Sequence, residues 1–277
     1  MNSGIRGARP APGASVERGS GGGAHAKMIG DPWFYVAAIP AVIILGLSKG
    51  GFAGIGTLAT PIVALAVPPV QAASILLPIL VVQDLYGIYV YRRHWDAFNL
   101  RALLPGALIG VVAGYLLAAR LPEAAVGFAV GVISIAFGLR QLLGRSAASA
   151  PPGRPGIAAG WFWGALSGFT SMISHAGSPP FQIYVMPQKL EARVFVGTSV
   201  LFFAAVNWMK IPPYLALGQF TAGNLATSAV LFPLALAATW FGVLLVQRFS
   251  NERFYLCVYV LMVLIGVKLV VDGVAAV

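Results

Sequence analysis

Ser48-Lys49-Gly50-Gly51-Phe52-Ala53-Gly54-Ile55-Gly56 cuts an apolar run in two, with Trp33 to Leu47 before it and Thr57 to Val67 after it. Four glycines and a lysine within nine residues do not make a regular lipid-facing helix. Irregular backbone at membrane depth is tolerated where protein packs around it or where it lines a wet cavity. A second interruption, Ser174-His175-Ala176-Gly177-Ser178-Pro179-Pro180, follows the apolar run Ile157 to Ile173 and leads into the short piece Phe181 to Met186. Each interruption opens a series of further apolar runs. After the first come Val70 to Tyr91, Arg101 to Ala119 and Ala124 to Leu143. After the second come Leu190 to Trp208, then the polar stretch Lys210 to Gln219, then Thr221 to Val246 and Phe254 to Val271.

The two series share special residues at one spacing. Leu104-Pro105 and Phe232-Pro233, Gly114 and Gly242, Arg120 and Arg248, Gly138 and Gly266, and Arg140 and Lys268 are each 128 positions apart. Upstream the offset is 119, for Pro61 with Pro180 and Pro68 with Pro187. Coincidences of proline, glycine and basic residues at one offset point to a duplicated chain. A duplicated membrane protein with broken helices is the usual build of a secondary transporter, with its site between the repeats.

Hydrophobic residues make up 58% of the 277 and charged residues 9%, too little charge to cover a soluble core of this size. The net charge of +10 raises nucleic acid as a partner. The basic residues, however, lie in the N-terminal tail and between apolar runs, which is the pattern of membrane topology, and no nucleic-acid partner is expected. Cys257 is the single cysteine, so neither an intrachain disulfide nor a cysteine metal site is expected. Met1 to Lys27 is rich in Gly, Ala, Ser, Pro and Arg and reads as disordered. Met28, just before Asp31-Pro32-Trp33, is a second candidate start of translation.

Each opening segment, roughly 33–67 and 157–187, is too long for one crossing at about 1.5 Å per residue and short for two. One crossing plus a re-entrant piece gives eight crossings. With a cytoplasmic N-terminus, that arrangement puts the tail, the Arg92-Arg93-Arg101 loop and the Arg140-Arg145-Arg154 linker inside. A tight two-span hairpin gives ten crossings and sets the repeats in opposite directions, because five is odd. Basic-residue placement favours eight. The expected fold is an all-α polytopic membrane protein of two tandem pseudo-symmetric repeats, with about eight transmembrane helices, ten being the alternative. Its boundaries are a tail at 1–30, a first repeat at 31–144, a linker at 145–156 and a second repeat at 157–277.

Polar groups inside hydrocarbon are costly and mark function. Lys49 stands at a helix break, where its ammonium and the amides of Gly50, Gly51, Gly54 and Thr57 could face one anion together. The competing reading is a lysine snorkelling to the interface. Ser174, His175, Gly177 and Ser178 supply hydroxyls, an imidazole and a glycine at the second break. Two such breaks facing each other would make a small oxyanion site. His175 is a candidate for anion binding or proton coupling, against a helix-end histidine bonded to a carbonyl. Asp84, a carboxylate inside an apolar run, should be protonated or paired and is the second proton-coupling candidate, against a helix-end charge answered by Arg92. Thr198, Ser199, Gln83, Asn207 and Asn224 are weaker, since such side chains more often bond between helices.

Soluble-type motifs fail. Gly46 to Gly56 lacks the lysine followed by Ser or Thr of a phosphate loop, and His25, His94 and His175 are too far apart in sequence for metal-ligand spacing. Ser174 or Ser178 with His175 could suggest an intramembrane hydrolase, but no Gly-x-Ser-x-Gly elbow is present. A passive anion channel is the other alternative to a carrier.

From about Trp33 to Val271 the chain resembles the sulfite exporter TauE/SafE family, the transmembrane sulfonate permease type. The resemblance rests on Gly50-Gly51-Phe52-Ala53-Gly54-Ile55-Gly56 through Pro61 and on a partial second copy. That copy runs from Gly168-Phe169-Thr170-Ser171 through His175-Ala176-Gly177-Ser178-Pro179-Pro180 to Gly197-Thr198-Ser199. The family pattern has more glycine where this chain has Ser174-His175-Ala176 and Ser178-Pro179. The resemblance implies a multi-pass plasma-membrane carrier, not an enzyme, with no bound cofactor, moving sulfite or a related organosulfur anion. Membrane lipid surrounds such a carrier, and a homodimer stays open.

Overall fold

The computed structural model describes residues 28–52, 54–118, 120–143 and 153–276. The expected tail before Met28 and most of the expected linker lie outside these residues. The described residues are helical, with no strand among them. The first five helices are α1 (Pro32–Gly50), α2 (Ala59–Val63), α3 (Pro69–Tyr91), α4 (Ala97–Leu117) and α5 (Glu123–Leu143). The next five are α6 (Ile157–Ser174), α7 (Ser178–Val185), α8 (Ala192–Ala216), α9 (Ala222–Val246) and α10 (Asn251–Ala275). Short 3-10 turns, Ile55–Leu58 and Met186–Gln188, precede α2 and follow α7. Seven helices among the described residues are long and apolar enough to cross a membrane: α1, α3, α4, α5, α8, α9 and α10. α6, at 18 residues, spans about 27 Å but is diluted by small and hydroxyl residues. The chain is a multi-pass membrane protein.

Local chemistry sets the helix starts. The Asp96 side chain accepts from the Asn99 amide at the head of α4, and Thr221 accepts from the Asn224 amide at the head of α9. Both close an otherwise unpaired first-turn donor. Asn99 then exchanges two hydrogen bonds with Gln188, while Asn224 accepts from Gln71.

Helices of the first half pack on those of the second. α1 lies along α9, α6 along α4, α5 along α10, and α3 against α8. The α4–α6 contact is made by backbone. A Cβ built on Gly106 would stand 2.0 Å from the Trp161 carbonyl oxygen, and one on Gly164 2.1 Å from that of Leu103. Gly106, Gly110 and Gly114 on α4 face Gly160, Gly164 and Gly168 on α6, at the four-residue spacing that lets membrane helices approach closely. Of the glycines paired in the sequence, Gly114 meets Met172 of α6, and Gly242 meets Gly50 of α1.

The contacts also fix direction. Along α1, Gly46 meets Ala238 and Gly51 meets Val246, so α1 runs parallel to α9. Gln71 meets Asn224 and Gln83 meets the Ala235 carbonyl, so α3 runs parallel to α9 as well. Since α1 and α3 point the same way, residues 51–68 must carry the chain back between them. The second half does the same in the opposite sense, with α6 parallel to α4 and α8 antiparallel to α3. Met28 to Asp31 and the Arg92-Arg93 loop therefore lie at opposite ends of the bundle. The expectation that they share a face gives way, because residues 51–68 carry the chain back through the protein to the end where α1 began instead of leaving it at the end where α1 stops.

α8 also runs past the expected stop at Trp208. It continues through Pro212 and Pro213 to Ala216, which places Lys210 within the helix.

Candidate functional site

The two breaks and the middle of α8 line a cavity of about 60 Å³. α1 contributes Leu45, Ser48 and Lys49, and the first break contributes Gly51, Gly56 and Thr57. Ser171 reaches it from α6, with His175 and Ser178 from the second break. α8 lies across it with Ser199, Phe203, Asn207 and Lys210, spaced by four, four and three residues and so on one helix face. Leu76 and Leu80 of α3, with Val196 and Val200, complete an apolar wall.

Its charge is lopsided. Lys49, 11% exposed in its side chain, is paired with the fully buried Asp84, whose other oxygen accepts from Asn207 Nδ2 at 2.7 Å. The Lys49 ammonium also lies 5.8 Å from the centre of the Phe203 ring. Lys210 is 1% exposed, and its Nζ is 3.4 Å from both the carbonyl oxygen and the hydroxyl of Ser171. No carboxylate pairs with it among the described residues. His175 caps α6 in the left-handed region, φ 54°, and its buried Nε2 has no hydrogen-bond partner among the described residues. Two lysines, one carboxylate and an imidazole nitrogen unpartnered among the described residues therefore meet at one small cavity. A protonated Lys210 needs a counter-charge at this depth, and an anion in the cavity would supply it.

Of the residues singled out in the sequence, Lys49, Gly51, Thr57, His175 and Ser178 line this cavity, as do the weaker candidates Ser199 and Asn207. Asp84 stands behind Lys49, off the wall. The Gly50 carbonyl accepts from the Tyr91 hydroxyl at 2.9 Å, and Gly54 packs near Gln182. The Ser174 hydroxyl donates to the Thr170 carbonyl at 3.1 Å, and the Gly177 carbonyl accepts from Ser167 at 2.6 Å. Thr198 accepts from the Asp96 amide at 2.9 Å, away from the cavity. The amides of Gly51 and Thr57 are bonded within the break, to Leu47 and Ser48 carbonyls and to Gly54. Side chains, rather than a nest of free amides, thus give the cavity its positive character. Lys210 and Ser171 were not singled out. A lysine three residues into the face begun by Asn207, itself four after Phe203, was the available signal for Lys210.

A model of the family described as sulfite exporter TauE/SafE matches residues 38–269. No curated protein and no solved structure matches the chain.

Proposed function

The chain belongs to the sulfite exporter TauE/SafE family, a family of membrane transporters and not of enzymes, and from that premise we propose that it carries a small oxyanion through the cavity between its two helix breaks. The observation that carries this reading is Lys210, buried with no carboxylate partner among the described residues, on a cavity that already holds a neutralised lysine–aspartate pair. At about 60 Å³ the cavity is far below the roughly 300 Å³ that holds a drug-sized ligand. Sulfite or a short organosulfonate fits that limit, with the oxygens towards Lys210 and the Ser171 and Ser178 hydroxyls and any tail against Phe203. Corresponding elements and reciprocal contacts support a duplicated origin for the two halves.

Asp84 is the coupling candidate. A proton taken by its carboxyl releases the Lys49 ammonium to the cavity, so proton and anion compete for the same lysine. His175 is the second. Basic residues at one end of the bundle, including Arg92, Arg93, Lys189, Arg193, Arg248 and Arg253, support a cytoplasmic location for that end. The excess persists when Arg6, Arg9, Arg18 and Lys27 are assigned with Arg120 and Lys268 to the other end. The plasma membrane is the proposed location.

Counterflow in proteoliposomes tests the reading. Wild-type protein exchanges labelled sulfite for internal sulfite with saturation, and Lys210→Met, uncharged and similar in length, loses it. Lys210→Arg recovers part, because a planar guanidinium fits a small oxyanion differently from a compact ammonium. Full exchange by folded Lys210→Met refutes the site. Steady conductance without counterflow makes the protein a channel. Asp84→Asn is expected to keep counterflow and lose acceleration by an imposed pH gradient.

A further inference from the structure

A second cavity, of about 250 Å³, lies against the first. The two share His175 and Thr60 as lining residues. Its outer wall is made by Val70, Leu121 and Leu217, which are 58%, 37% and 52% exposed. These residues lie at the start of α3, after α4 and after α8, all at the end of the bundle opposite the Arg92-Arg93 loop. This second cavity is therefore a vestibule reaching that face, and His175 with Thr60 stands between it and the first cavity, whose lining residues are all buried or half-buried.

His175 is built for such a place. It caps a helix end in the left-handed region, which histidine tolerates better than most side chains but which still fixes where the ring points. The Nε2 nitrogen is buried, with nothing to hold it. A ring tied by no hydrogen bond at that atom can turn aside without breaking one there.

We propose that His175 is the gate between the first cavity and this vestibule, and that the vestibule admits the anion from the face opposite the basic loops. The proposal rests on the reading of the first cavity as an anion site. Its test is independent of that reading, because no anion transport is measured. In a Cys257→Ser background, Ser199→Cys places one thiol in the first cavity and Gln219→Cys places one in the vestibule wall. A membrane-impermeant anionic thiol reagent is applied to intact cells and, separately, to inside-out vesicles.

Gln219→Cys is expected to react from the outside of cells and not from the cytoplasmic face. Ser199→Cys is expected to react slowly. If the gate opens about 10% of the time or less, removing the imidazole speeds outside labelling of Ser199→Cys about tenfold or more. His175→Asn is the variant to use, since asparagine keeps the left-handed turn while shortening the side chain. His175→Gly is the second variant if the asparagine protein does not fold. Unchanged labelling of Ser199→Cys, equal acceleration from both faces, or labelling of Gln219→Cys from the cytoplasmic face overturns the proposal. Absence of sulfite counterflow by the wild-type protein in the separate transport assay, with labelling as expected here, would overturn the anion reading and leave the gate standing.

Discussion

At the scale of single residues, Lys49 has a second task besides any contact with an anion. It is the counter-charge of Asp84, which is fully buried. Removing one partner of a buried ion pair leaves an uncompensated charge, at a cost of about 3–5 kcal/mol. Lys49→Ala is therefore expected to lower the unfolding midpoint in detergent, and Lys49→Ala with Asp84→Asn to recover more than half of the loss. Equal losses in the single and double variants would mean that Lys49 is not what compensates Asp84. The pair was half legible in the sequence: both residues stood out as charges in apolar runs, but nothing in their spacing says that they meet. Lys210 was hidden for a different reason. The stretch Lys210 to Gln219 reads as a polar connection, and its Pro212 and Pro213 each remove an amide donor from a helix. The helix runs through them, so a lysine that looked like part of a polar connection is buried.

Among elements, the close crossings decide stability. Where α4 meets α6, a methyl group on Gly164 would overlap the Leu103 backbone, which cannot turn away as a side chain can. Overpacking of this kind costs typically about 1–3 kcal/mol even where neighbours can shift. Gly164→Ala is expected to lower the thermal midpoint clearly, whereas Gly30→Ala, with nothing within 4 Å of the added carbon, should leave it unchanged. Thermal unfolding of the two purified variants compares them directly; equal midpoints would show that the crossing can relax. Helix positions were largely legible, because long apolar runs with basic or proline ends announce themselves: Val70 to Tyr91 was expected and Pro69–Tyr91 is found. The path of residues 51–68 was not. Glycine-rich backbone carries no periodicity from which a direction could be read.

For the whole molecule, helix direction and basic residues together predict sidedness. Met28 and Ala276 lie at the end opposite the Arg92, Lys189 and Arg248 connections. A reporter that works only outside the cytoplasm is expected to be active when fused after Ala276 and inactive when inserted at Arg248. The reverse pattern would invert the orientation and place the vestibule on the cytoplasmic side.

The packing of α1 on α9 has a further consequence, in time rather than in space. Gly46 finds its partner in Ala238, 192 positions later in the chain. At a synthesis rate of about 5–20 residues per second, the first helix waits roughly 10–40 s before that partner exists. Through that interval its glycine face and the Lys49 ammonium sit in lipid or against the insertion machinery, with Asp84 the nearest relief once α3 has entered. Every nascent copy passes through a half-made stage that quality control can recognise, and the yield of this protein depends on how well the cell shelters α1 until α9 arrives.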